Sequence, residues 1–146
     1  MSLRTNLQPD DNERIRRVTG YGRTDGQTYI SVDGQKFTHS LILTPEVVSP
    51  WPPRALAGIT PEHVALIMAH GPEIILLGTG ATQQFPAPSL FGVCSEKGIG
   101  VEAMNTIAAC RTYNLLAGDG RMVVAALLVG NTEQRVLRGI LSMAEF

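Results

Sequence analysis

GIGVEAMNTIAACRTYNLLAGDGRMVVAALLV, residues 98–129, decides how this chain folds. A short apolar stretch around Val101 reads as a strand, and Asn105-Thr106 offers N-cap chemistry for a helix from about Asn105 to Ala117. Gly118-Asp119-Gly120 turns the chain into MVVAALLV, the most apolar strand of the sequence. Strand, helix and strand in that order form one unit of a layered α/β architecture.

The same alternation extends upstream. Thr60-Pro61-Glu62-His63 supplies an N-cap, a proline at the first helical position and an acid in the first turn, predicting a helix from about Pro61 to His70. Gly71-Pro72 ends it, and the unbroken apolar run at 73–78 predicts a buried parallel strand. Gly78-Thr79-Gly80 opens a polar loop, a further helix is expected around Ser89 to Lys97, and Gly98 or Gly100 closes it. Helix and strand alternate three times after residue 60, which implies a largely parallel sheet with right-handed crossovers.

Between Ile15 and Pro45 the pattern changes. IRRVTGYGR, QTYISV and KFTHSLILT are separated by Thr24-Asp25-Gly26 and Asp33-Gly34, and Asp-Gly between β-rich runs marks hairpins because both residues tolerate positive φ. An antiparallel meander is expected, extending the main sheet or capping its edge, with its third strand running on into Leu41-Ile42-Leu43. PEVVSPWPPRAL follows, and prolines 45, 50, 52 and 53 argue against regular structure through most of it. Trp51 is either the anchor of this loop or a partner-binding surface. The tail places Val136, Leu137, Ile140, Leu141 and Met143 at helical spacing, as a docked helix or a partner-binding segment.

A chain of 146 residues, 44% hydrophobic and 17% charged, fits one domain over 15–146 behind a flexible segment at 1–14. Its net charge of −1 gives no electrostatic reason to bind nucleic acid. The polar, acid-containing N-terminus lacks the marks of a signal or transit peptide, and no apolar run approaches the roughly 20 residues of a membrane span. A soluble, cytoplasmic protein is expected. Cys94 and Cys110 form no CxxC pair and read as buried, reduced thiols. His39, His63 and His70 lie on separate elements, so no metal is expected, and Ser40 and Ser89 have no nucleophile-elbow context. With neither a catalytic constellation nor a cofactor fingerprint, the reading leans away from an enzyme.

Arg111 and Asn114 stand out in the helix that follows Asn105, which is otherwise almost wholly apolar and is expected to be covered on both sides. A buried guanidinium needs a partner. That partner is either an internal carboxylate, such as Glu102, Glu73 or Asp119, or an anionic ligand in a crevice at the strand C-termini. Gly78-Thr79-Gly80 at a strand end would let such a ligand approach backbone N–H groups, although neither the dinucleotide nor the Walker fingerprint is complete.

GTG at 78–80, GIGVEAMNT at 98–106, ACRTYNLL at 109–116 and GRMVVAALL at 120–128 together resemble a family of single-domain proteins of unknown function. The family includes the mitochondrial assembly factor three of NADH dehydrogenase, respiratory complex I, and an adipogenesis-linked relative. The resemblance extends to FTHSLILTP at 37–45 and the Trp51 loop. It implies a three-layer α/β fold: a central mixed, largely parallel sheet with helices on both faces and an added antiparallel portion. It also maps recurring residues onto Gly78, Thr79, Gly80, Glu102, Thr106, Arg111, Thr112, Tyr113 and Asn114 as a set that could line a crevice.

Two functions follow as expectations. One is a non-enzymatic interaction protein that binds a partner or a second copy, aiding assembly of a membrane respiratory complex by peripheral association. The other is a small-molecule binder or enzyme anchored on Arg111.

Overall fold

A computed structural model describes residues 15–130. The flexible segment expected at 1–14 and the helix or partner segment expected at 131–146 lie outside these described residues.

Among the described residues, eight strands form two sheets. β1 (Val18–Thr24), β2 (Gln27–Val32) and β3 (Gln35–Phe37) form the expected meander. Both turns take the conformation that Asp-Gly permits, with φ of 55° and 76° at Asp25-Gly26 and 52° and 84° at Asp33-Gly34. The second sheet has the order β5-β4-β8-β6-β7, built from β4 (Leu41–Leu43), β5 (Val48–Pro50), β6 (Ile74–Gly78), β7 (Gly100–Met104) and β8 (Val123–Leu127). β8, β6 and β7 are parallel, while β4 runs antiparallel to both β8 and β5.

Three α-helices among the described residues connect these strands: α1 (Pro61–Met68), α2 (Gly92–Glu96) and α3 (Thr106–Gly118). The start of α1 is fixed by a reciprocal capping box. The Thr60 hydroxyl accepts from the His63 N–H at 3.3 Å, and His63 Nδ1 accepts from the Thr60 N–H at 3.1 Å. His63 is thereby used as a cap.

The unbroken apolar runs are explained by the strand period of two. Leu41, Leu43, Leu76, Val123, Ala125 and Leu127 face one core with the buried side of α3, and Ile42, Ile75, Leu77, Val124, Ala126 and Leu128 face a second with α1 and α2. Trp51 belongs to the second core.

Several expectations need correction. The meander neither extends the main sheet nor caps its edge; it is a separate sheet, with Val18, Ile30 and Val32 packed into the α3-side core. The third meander strand does not continue into Leu41, because the chain leaves one sheet for the other across 38–40. Ser40 is buried at this crossing: its Oγ accepts from the Val129 N–H at 2.9 Å and its carbonyl from the Trp51 N–H at 3.0 Å. The proline-rich loop contains β5, which tolerates Pro50 because it is an edge strand. Finally, α3 is covered on one side only, leaving Leu115 72% and Ile107 43% exposed.

α3 holds the meander in place through two side chains. The Tyr113 hydroxyl donates to the Arg16 carbonyl at 2.7 Å. Asn114 Oδ1 accepts from the Val18 N–H and Nδ2 donates to the Val18 carbonyl, both at 2.9 Å, so the amide pairs with the backbone as a neighbouring peptide would. Replacing it leaves a partly buried peptide with no partner. Asn114→Ala is expected to lower unfolding free energy by about 1–3 kcal/mol in urea titration, with faster amide exchange in β1.

Candidate site at the strand C-termini

The C-terminal ends of the three parallel strands converge on Thr106. Its hydroxyl accepts from the Gly80 N–H just beyond β6 and donates to the Leu128 carbonyl just beyond β8, each at 2.9 Å, while Thr106 itself follows β7. Its own N–H donates to the Gly80 carbonyl at 2.9 Å. The Thr79 N–H donates to the Met104 carbonyl at 2.8 Å, and the Leu128 N–H donates to the Gly78 carbonyl at 3.0 Å. The loop beyond is shaped by the Thr79 hydroxyl, which accepts from the Gln84 N–H and lies 2.7 Å from the Thr82 carbonyl.

These bonds correct the expected role of Gly78-Thr79-Gly80. The N–H groups of Thr79 and Gly80 are already engaged inside the protein and do not form a cradle for a ligand. Gly78 serves packing: a Cβ there would lie 3.0 Å from both Cα and Oγ1 of Thr106 and 3.1 Å from a Leu127 methyl. The glycine lets the start of α3 settle against β6.

Above these strand ends lies a cavity of about 590 Å³. One wall comes from Thr79, Gly80, Asn105 and Thr106, and another from the β1–β2 hairpin through Tyr21, Arg23, Thr28 and Tyr29. Arg54, Ala55 and Leu56 close a third side, and Ile30, Cys110 and Leu128 form an apolar floor. Burial pushes the Cys110 thiol up to about 12 from its ordinary 9.0. Burial likewise raises the Tyr113 phenol, helped by the negative charge of Asp33.

Of the residues expected at a site, Thr79, Gly80 and Thr106 meet at this cavity, whereas the others lie elsewhere. Glu102 is exposed on the edge strand β7, and the Thr112 hydroxyl points to the Met104 sulfur at 3.5 Å. Tyr113 and Asn114 hold the meander. Trp51 is 2% exposed and donates from Nε1 to the His63 carbonyl at 3.0 Å, so it anchors its loop and offers no surface to a partner.

Among the described residues, no carboxylate pairs with Arg111. It lies on the exposed side of α3, where Nε donates to the Tyr21 hydroxyl at 3.0 Å and the guanidinium carbon stands 5.8 Å from that ring's centroid. Water reaches this face, so no counter-carboxylate is required. Glu73 instead approaches Arg121, at 3.7 Å. The hairpin residues and Arg54 were missed by sequence reasoning. Alternation along β1 and β2 marks candidate faces, but only the packing of the second sheet shows which face looks onto the strand ends.

The architecture is that of a mixed α/β protein with a cavity at the C-terminal ends of its parallel strands. The chain belongs to the protein family of unknown function DUF498/DUF598, whose pattern matches residues 23–128. A 13 kDa major membrane protein of Francisella tularensis subsp. holarctica is 34% identical over 95 residues, covering 64% of this chain and 77% of that protein. NADH dehydrogenase (ubiquinone) 1 alpha subcomplex assembly factor 3 of Xenopus tropicalis is 29% identical over 135 residues, covering 84% and 74%. The crystal structure of a Bordetella parapertussis protein, 43% identical, superimposes with a TM-score of 0.69 over 79% of this chain and 96% of that one. A Bordetella pertussis protein described as an Mth938-like domain, 34% identical, gives 0.69 over 92% and 97%. Among the described residues, no helix is long and apolar enough to cross a membrane.

Two outcomes follow. Gly78→Ala forces the start of α3 off the sheet and is expected to cost about 1–3 kcal/mol by chemical denaturation. Cys110 and Tyr113 both bind their protons more tightly folded than unfolded. The stability this provides is complete below about pH 9 and is lost as pH rises toward 12. Melting temperature should therefore fall over that window, and Cys110→Ala should flatten the fall without abolishing it.

Proposed function

We propose that this chain is a non-enzymatic interaction protein that supports assembly of a membrane-bound respiratory complex of the complex I type, which it meets peripherally. The observation that carries this reading is the similarity, across 84% of the chain, to a protein named as a complex I assembly factor. The contact surface assigned to the partner is the outward strip of α3. Ile107, Arg111 and Leu115 follow one another at four-residue spacing, and Leu115 is 72% exposed. An apolar strip interrupted by one cation suits a protein face carrying apolar and acidic groups.

Disrupting the gene in a host that makes complex I is expected to lower assembled complex several-fold on native gels, with subassemblies accumulating. The wild-type gene should restore assembly, and Leu115→Glu, which changes an exposed residue and leaves the core intact, should not. An undiminished amount of assembled, active complex after disruption overturns the reading.

A further inference from the structure

The cavity at the strand ends supports a second, independent inference: we propose that it binds a single-chain amphiphile with an anionic head, of the long-chain carboxylate class. Its volume of about 590 Å³ falls in the range of pockets that enclose small organic ligands. Its floor of Ile30, Cys110 and Leu128 is almost fully buried and offers no strong hydrogen-bonding side chain. Water in such a space is poorly bonded, and an apolar chain that displaces it gains free energy.

The charged side chains of the described lining have one sign. Among the described residues, Arg23 lines the cavity and no Asp or Glu does, and the Arg111 guanidinium stands over the ring of Tyr21, a wall residue. In a chain of net charge −1, this bias sets a positive mouth over an apolar floor. Guanidinium groups bind carboxylates by paired, charge-assisted hydrogen bonds. They bind phosphates as well, but the backbone N–H groups that would cradle a nucleotide's phosphates at these strand ends, those of Thr79 and Gly80, are bonded to Met104 and Thr106. The geometry therefore favours a head held by side chains and a body held by apolar contact.

The test titrates a fluorescent fatty-acid probe into the full chain and displaces it with laurate. Saturable binding of one probe per chain is expected, displaced by laurate but not by dodecanol, inorganic phosphate or ATP. Ala81→Trp, at an exposed position of the wall, blocks the cavity without touching the core, and should weaken binding at least tenfold while leaving the melting curve in place. Arg23→Gln should weaken it roughly tenfold, the usual weight of a charge-assisted bond. Vesicles of anionic phospholipid form a second arm. If they bind with the same dependence on Ala81 and Arg23 while free laurate does not, the occupant is a two-chain phosphate lipid and the proposal is overturned.

Probe binding that ignores both substitutions is adsorption elsewhere and overturns the proposal, as does displacement by ATP or phosphate. Failure of laurate to bind also overturns it. None of these outcomes bears on the assembly reading, which is judged by complex I in the host.

Discussion

The hydroxyl of Thr106 holds the working end of this molecule together. Parallel strands end with unpaired backbone groups, and here one side chain satisfies groups beyond two strands while beginning the helix that follows the third. The arrangement requires α3 to start very close to β6, and that closeness requires Gly78. A serine would preserve the bonds but lose the packing of the methyl group. A valine would keep the shape and leave a buried N–H and carbonyl unmatched. The cavity above exists because these groups bond sideways to one another and leave the space over them to apolar carbon.

α3 divides its duties by face. Ala109, Cys110, Tyr113 and Ala117 point into the core, where Cys110 also forms part of the cavity floor. Tyr113 reaches the backbone just before the first strand and Asn114 the backbone at its start, while Ile107, Arg111 and Leu115 look outward. One helix thus fixes the meander that walls the cavity and carries the strip assigned to a protein partner. The cavity and the strip share Ile107, and the Tyr21–Arg111 contact lies between them.

Local signals were fully legible in the sequence. Asp-Gly turns, the Thr60 cap and the apolar runs at 73–78 and 122–129 describe interactions within a few residues, and each forms as read. The alternation after residue 60 likewise gives the parallel strands, because crossover geometry allows few alternatives. What was not legible depends on which surfaces meet. The sequence of α3 reads as wholly buried because its exposed side carries Ile107 and Leu115, and nothing local distinguishes an outward leucine from a core one. That error made Arg111 look like a buried charge. Gly78-Thr79-Gly80 was located correctly at a strand end, but whether its N–H groups are free depends on Thr106, 26 residues away from Gly80. Hairpin residues enter the cavity only because the meander folds over as a second sheet.

The bond between Asn114 and Val18 also has a consequence in time. The two residues are 96 positions apart. At ordinary rates of synthesis, the meander leaves the ribosome on the order of 5–20 s before the helix that anchors it. Its hairpins are local and close in microseconds, so the strands pair while the apolar face of Val18, Ile30 and Val32 still lacks a cover. During that interval it is an exposed, half-built surface of the kind that chaperones recognise. Among the described residues, the chain's vulnerability during its own production therefore lies at the meander, even though that element is the simplest part of the fold.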